Sequence, residues 1–449
     1  MSYETAIARM FALGHELAQT PSHKFDLAHM RVLLGALDNP ERRFPSVLIA
    51  GTNGKGSTAS TLASILQASG SRTGLYTSPH LVRINERIRI DGQQISDDDF
   101  ALVHDLVDRT AERLVSENEL PWHPSFFEML TAIAFEHFAR RRVEIAVLEV
   151  GMGGRLDATN VVEPRISVIT DISLDHQKYL GDTVAEIAAE KAGIIRPGGV
   201  VVTLPQQPQA NDVIGNTILE RGARAVNAVP YVPPVSPASS EYRADNAAKT
   251  PVSRYPMQVM GEQIIVETPL LGRHQLRNVA LAIAAAEELS RQGFPVIASS
   301  VERGIRETHW PGRFQVLPPS GGPPEYVFDV AHNPAGAWAL RSTLSAGYPD
   351  RSPTFIFGAM RDKAIGEMAE ILFPLADRVI ATRADNPRSA SPEEIREAAS
   401  RTSTQIEEAT DVAAAIEMAK TGARPDSVVV VTGSIYIVGE AMRLLGARI

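Results

Sequence analysis

At 449 residues, with 44% apolar and 22% charged side chains, the chain is long enough for two or three domains and too apolar to stay disordered. Acidic residues outnumber basic ones 53 to 44, a net charge of −9, which argues against a general nucleic-acid or membrane-surface binder. With no cysteine, disulfides, thiolate metal sites, iron–sulfur clusters and cysteine nucleophiles are excluded.

The first twenty residues lack the basic segment and apolar core of a secretory signal, and no apolar run approaches the length of a membrane span. A cytoplasmic protein is the expectation. Short β-rich runs then alternate with helical stretches, which predicts an α/β fold with a mainly parallel sheet. Ser46–Ala50 is a buried strand, 51–57 a glycine-rich loop, and Leu62, Ile65 and Leu66 recur at helical spacing. A short run at 72–76 precedes Thr77-Ser78-Pro79-His80, a turn whose hydroxyls could also meet a metal or substrate. Ser96 and three aspartates mark a helix start. The stretch 131–138 is part of another helix, and strands follow at 143–150 and 166–170. The stretch 205–256 is rich in Pro, Ala, Ser and Asn and reads as a surface excursion with short strands, not a fold of its own. An alanine-rich helix covers 276–289. With five prolines and three glycines, 309–324 is the best linker candidate. Strands at 326–330, Thr354–Phe357, Arg378–Ala381 and 427–431, with helices between, form a second α/β unit. Ser391-Pro392-Glu393-Glu394 is a capping-box helix start. The predicted domains are 1–307 and 308–449.

Gly51-Thr52-Asn53-Gly54-Lys55-Gly56-Ser57 lies between a strand and a helix. Glycines let the backbone aim N–H groups inward, the helix start adds partial positive charge, and Lys55 adds a full one. Together they suit nucleotide phosphates, with Ser57 within reach of a phosphate-bound Mg²⁺. The spacing is not the general G-x-x-x-x-G-K-[ST] form, because Gly56 intervenes. Glu149 interrupts an apolar strand at its carboxyl end, where ligands of open α/β sheets gather. A buried carboxylate needs a cation or donors. A metal shared with the nucleotide meets that need, and a partner such as Arg155 is the plainer alternative. The glycines of Gly151-Met152-Gly153-Gly154 are expected to allow close approach of another ligand, with Arg155, Asp157 and Asn160 nearby. The next strand ends in Asp171, Asp175 and His176, the last a candidate metal ligand. Lys191, read from its neighbours alone, is a surface lysine. Asp329 and His332 end a strand of the second unit and could hold a ribose or base. Arg313 could reach a phosphate across a cleft. Phe126, Phe127, Phe135 and Phe138 read as mostly core.

GTNGKGS, TSPHL, LEVGMGGRLDATN, LDHQKYLG, EKAGI, GRHQLRN, PGRF, DVAHNP, PRSASPEE and GSIYIVGE occur in this order. Over about residues 25–439 the chain resembles the folylpolyglutamate synthases, most closely the bifunctional bacterial dihydrofolate synthase/folylpolyglutamate synthases. These belong with the muramyl ligases among ATP-dependent amide-forming ligases. The resemblance implies a P-loop parallel-sheet ATPase domain followed by a smaller Rossmann-like α/β C-terminal domain, with ATP between them. It implies that Asn53, Gly54, Lys55, Gly56 and Ser57 hold the phosphates, with Asn278, Arg313 and Asp329 as further ATP contacts. Ser78, Glu149 and His176 are then Mg²⁺ ligands, joined by a carbamylated Lys191, and this last implication contradicts the surface reading of that lysine. Phe127, Glu128, Leu156, Asp157 and Ala158 match the pterin side, and Lys55, Lys191 and His332 the catalytic set. Where the family shows Gly-Leu-x-Arg, this chain has Asp26-Leu27-Ala28-His29. The expected activity adds L-glutamate to dihydropteroate or reduced folates through an acyl phosphate, in a monomer that needs neither nucleic acid nor membrane. Alternatives are a muramyl-type ligase, disfavoured because only 50 residues precede Gly51, a P-loop phosphotransferase, and a non-catalytic nucleotide-binding regulator.

Overall fold

The computed structural model describes residues 1–14, 27–234, 251–319, 324–421 and 423–449. Its first sheet has eight strands: β1 (Ser46–Ala50), β2 (Thr73–Tyr76), β3 (Ile88–Ile90), β4 (Gln93–Gln94), β5 (Ile145–Glu149), β6 (Ile166–Ile169), β7 (Val200–Thr203) and β8 (Arg224–Asn227). Their order is β4-β3-β2-β5-β1-β6-β7-β8, parallel from β2 to β8, with β3 and β4 added antiparallel at one edge. All five residues of β1 are buried because both faces of the sheet are covered. Leu48 and Ala50 face a core with the helix Phe126–Arg140, whereas Val47 and Ile49 face the helices Lys55–Ala68 and Arg273–Arg291. β1 lies between β5 and β6, so the loops leaving these three strands converge at one rim.

A hairpin of β9 (Ser253–Val259) and β10 (Glu262–Thr268) packs outside this sheet, its apolar side chains joining the core beneath Arg273–Arg291. The second sheet holds β11 (Gln315–Leu317), β12 (Glu325–Phe328), β13 (Thr354–Phe357), β14 (Arg378–Ala381), β15 (Ile406–Glu408) and β16 (Val428–Thr432), in the order β11-β12-β16-β13-β14-β15. Only β11 is antiparallel. Val428 and Val430 face one core, Val429 and Val431 the other. No helix among the described residues is long and apolar enough to cross a membrane.

The stretch 205–256 departs from its sequence reading. Its short strands are present as β8 and the start of β9, but it also supplies a 13-residue helix, Pro208–Glu220, so it belongs to the first unit's framework. Within it, residues 235–250 lie outside the described ones, as does Asp26 of the Gly-Leu-x-Arg counterpart. The proline-rich 309–324 is not all connection either, because 315–317 form β11. The predicted caps form: Ser96 accepts from the Asp99 N–H, and Ser391 and Glu394 close a capping box.

Candidate active site

The loop after β1 turns into the helix Lys55–Ala68 through Gly54, whose φ of 88° is left-handed and suits glycine. Asp171, at the end of β6, anchors this loop: its carbonyl accepts from the Thr52 and Asn53 N–H groups at 2.7 and 3.2 Å. The Lys55 ammonium folds back to donate to the carbonyls of Gly51 and Thr52 at 3.0 and 3.1 Å. Burial holds it below its ordinary pKa, against the pull of Glu149.

Lys191 is not a surface lysine. It is 4% exposed, and its ammonium donates to the same Gly51 carbonyl at 2.8 Å. The helix Val184–Ala192 carries it to a strand end 140 residues earlier in the chain, which no local pattern can show. Burial, reinforced by Lys55, lowers its pKa to about 7. Glu149 does not pair with Arg155, which bonds Glu190 instead at 2.7 Å. The buried Glu149 carboxylate instead accepts from the Ser78 N–H at 3.1 Å. Burial raises its pKa, with Lys55 opposing.

His176 occupies the turn before Gln177–Leu180 with a left-handed φ of 52° and makes no side-chain cap bond. Burial lowers it to about 4, so it stands as a neutral imidazole. Its neighbour Asp175 draws groups from the second unit across the cleft: Lys363 at 2.7 Å, Asn333 at 3.2 Å and His332 Nε2 at 3.7 Å. Burial alone would disfavour the Asp175 anion, but His332, His176 and Lys363 hold its carboxyl well below the usual range. Asn333 also donates to the Asn53 side chain at 3.0 Å, tying the phosphate loop to the start of the helix Pro334–Gly347. His332 Nδ1 lies 2.9 Å from the Val330 carbonyl, which makes Nδ1 the protonated nitrogen. Asp329 accepts N–H bonds from Phe314 and Ala331 at 2.9 Å each.

These groups line a cavity of about 290 Å³: Asn53, Gly54, Lys55, Gly56, Ser57, Ser78, Glu149, His176, Lys191, Asn278, Arg313, Asp329 and His332 all border it. A second cavity of about 850 Å³ is bordered by Phe127, Glu128, Leu156, Asp157 and Ala158. Ser78, Gly151, Met152, Gly153, His176, Arg313 and His332 border both, so the two cavities meet there. The Asp157 carboxylate is spent within its own loop, accepting from Met152 N–H at 3.0 Å and from Thr159. The nearby glycines also serve packing rather than only a ligand. A Cβ on Gly151 would lie 2.5 Å from the Phe127 ring, and one on Gly154 would lie 2.8 Å from the Glu190 carbonyl.

Glu128 closes a capping box with Ser125 and also meets His29 Nδ1 at 3.2 Å, while His29 Nε2 faces the Trp122 carbonyl at 3.0 Å. The departure at 28–29 therefore lies in the wall of the larger cavity. The exposed Trp122 and Tyr179, and Lys363 and Arg388 from the second unit, also border it and were not anticipated. Only Asp175 had a signal, as a charged residue beside His176 at a strand end.

Among the described residues no three His, Asp or Glu side chains form a ready-made metal cage. The donors beside the phosphate loop still fit a hard divalent ion: a buried carboxylate, a neutral imidazole and the Ser78 hydroxyl, with phosphate oxygens and water to complete the shell.

Residues 104–286 match the Mur ligase middle domain and 312–435 the Mur ligase glutamate ligase domain. The dihydrofolate synthase/folylpolyglutamate synthase of Bacillus subtilis is 34% identical over 93% of this chain and 94% of its own length. A probable bifunctional folylpolyglutamate synthase/dihydropteroate synthase of Haloferax volcanii is 37% identical over 92% of this chain, which spans only 47% of that longer protein. The folylpolyglutamate synthase of Mycobacterium tuberculosis, solved with ADP and AMPPCP, superposes with a TM-score of 0.84 at 32% identity, covering 99% of each chain. Its two Mur ligase domains and full-length likeness to such enzymes show that the chain belongs to the dihydrofolate synthase/folylpolyglutamate synthase family of ATP-dependent ligases.

Proposed function

We propose that this protein joins L-glutamate to dihydropteroate and to reduced folates, with ATP cleaved to ADP and phosphate. The observation that carries this reading is the meeting of a small charged cavity with a large apolar one at Ser78, His176, Arg313 and His332. A triphosphate fits the first, and a pterin with its benzoyl arm fits the second. The acceptor's carboxylate then lies where the γ-phosphoryl group ends.

A carboxylate is a poor electrophile. Its attack on the γ-phosphorus releases ADP and forms an acyl phosphate. The glutamate amine then attacks the acyl carbon, loses a proton, and phosphate departs. Lys55, Arg313 and the loop N–H groups offset charge on the transferring group, with Asn53, Gly54, Gly56 and Ser57 shaping the cradle and Asn278 and Asp329 bordering the nucleotide. His332, its Nδ1–H committed to Val330, offers Nε2 at the junction to orient the amine. Ser78, Glu149 and His176 are the residues to hold Mg²⁺, which when bound neutralises phosphate charge. A Lys191 near pKa 7 has a sizeable neutral fraction, and that free amine can add CO₂ with loss of a proton, giving a fourth ligand that is anionic like Glu149. Phe127, Leu156 and Ala158 offer apolar wall to the pterin side, and Glu128 and Asp157 fix that wall's backbone. Residues 1–307 and 308–449 act as two units that close on the reaction and exclude water.

The deciding measurement is ADP release with dihydropteroate or tetrahydrofolate, with and without L-glutamate. Sustained turnover requires both acceptor and glutamate, and the product gains one glutamyl unit by mass. ADP release with a stable phosphorylated product and no need for glutamate would replace the ligase by a phosphotransferase. Incorporation of ¹³CO₂ at Lys191, read by ¹³C NMR, tests the carbamate.

A further inference from the structure

The connection between the two units, 308–314, does not hang free. The Ser60 hydroxyl of the helix Lys55–Ala68 donates to the His309 carbonyl at 3.1 Å. The next residue, Trp310, lies against the first turn of that helix. A Cβ at Gly56 would come within 2.6 Å of the Trp310 ring, so position 56 has to be bare for the indole to seat. This accounts for the glycine that interrupts the usual Lys-Ser/Thr pair of a phosphate loop. Two guanidinium groups stand within cation–π range of the same ring, Arg89 at 5.9 Å and Arg313 at 5.8 Å from the centroid. The indole N–H is buried without a hydrogen-bond partner, so the ring is held for its faces and edges rather than for its donor.

We propose that Trp310 is a positioning residue for the nucleotide. It seats the inter-unit connection on Gly56 of the phosphate loop and holds the Arg313 guanidinium in the cleft. This rests on the reading that Arg313 meets the phosphates. Arg313 is on the connection itself, three residues after Trp310, and its backbone leads straight into β11. The ring therefore touches the loop that grips the phosphates, the arginine that reaches them, and the chain segment about which the units move. Filling the phosphate site is felt at the connection through a single side chain.

Initial rates of full-length variants separate this from simple packing. Trp310→Leu raises KM for ATP about tenfold and leaves KM for dihydropteroate within twofold, and Trp310→Phe, which keeps a ring, recovers most of the loss. In a double-mutant cycle, Trp310→Leu/Arg313→Gln is no worse for ATP than Arg313→Gln alone. Gly56→Ala impairs ATP use, and adding Trp310→Leu relieves it by making room. In Trp122→Phe/Trp338→Phe protein, whose only tryptophan is Trp310, AMPPCP shifts the emission, and the added Arg313→Gln removes the shift. Losses that add in the Arg313 cycle, or KM values that rise equally for ATP and dihydropteroate, overturn the coupling. An Arg313→Gln protein with an unchanged KM for ATP overturns instead the nucleotide role of Arg313 and the proposal built on it. Where Trp310→Leu does not fold, Trp310→Met takes its place in both cycles.

Discussion

The two adjoining cavities are walled by different means. Around the phosphate loop the walls are backbone and charge: the Asp171 carbonyl pins two loop N–H groups, and two lysines share the Gly51 carbonyl. The larger cavity is assembled from side chains of distant segments, with His29, Trp122 and Glu128 clasped together and Phe127 pressed on Gly151. A site made of backbone tolerates almost no substitution, because its geometry belongs to the fold. A site made of side chains can be retuned residue by residue, and His29 stands in such a wall.

The sharpest way to break this comparison is Lys55→Ala. It removes the one full charge on the loop helix, and turnover falls by about a thousandfold, in line with losing a preorganised cation at the transferring phosphoryl group. The melting temperature stays near that of the parent, since burial already disfavours the Lys55 cation. A folded Lys55→Ala protein with near-normal activity contradicts the role given to the loop.

Phe127→Ala sharpens the other side. Its ring borders the larger cavity and also occupies the space above Gly151. Truncation is expected to raise KM for dihydropteroate about thirtyfold, the scale of a lost aromatic wall, while KM for ATP moves little. Equal rises in both constants would show that the two cavities are energetically one.

Lys363→Met tests the bridge between them. Lys363 and Asp175 are both nearly buried, and breaking such a pair strands an anion in the cleft. A roughly tenfold loss is expected, shared between ATP and acceptor, because Asp175 ties to the second unit through Asn333 and His332 as well. A loss confined to one substrate places Lys363 in that substrate's wall alone.

The smallest effect is on stability and lies away from both cavities. Burial lowers His137 to about 4, so the unfolded chain binds its proton first as pH falls. Between pH 6.5 and 4 the unfolded state therefore holds more protons, and stability declines with falling pH. His137→Phe should reduce the difference in unfolding free energy between pH 7 and pH 5 by about 1–2 kcal/mol, with turnover unchanged. Urea melts at the two pH values measure it, and an unaltered difference would mean that His137 is protonated in the folded chain.

What the sequence made legible follows the same division. β1, its loop and the following helix are contiguous, so the strand–loop–helix geometry around 51–57 could be read from the sequence. Glu149 stood out because a carboxylate at the end of an apolar strand demands a partner. Lys191 was hidden, since its own helix looks like a surface segment and the carbonyl it meets is 140 residues away. The helix Pro208–Glu220 escaped for a different reason. Its apolar positions Ala210, Val213, Ile214 and Ile218 pack on a core at helical spacing, but they stand among Pro, Gln, Asn and an exposed Leu219 (79%), and that polar company masks the stripe. The clasp of His29 with Trp122 and Glu128 joins residues about a hundred apart and has no local signature.

One carbonyl oxygen, that of Gly51, receives both Lys55 and Lys191. The Lys55 cation beside it adds to burial in making Lys191 easier to deprotonate. A shift of that one peptide plane is therefore passed to both ammonium groups together, one on the helix Lys55–Ala68 and the other on the helix Val184–Ala192.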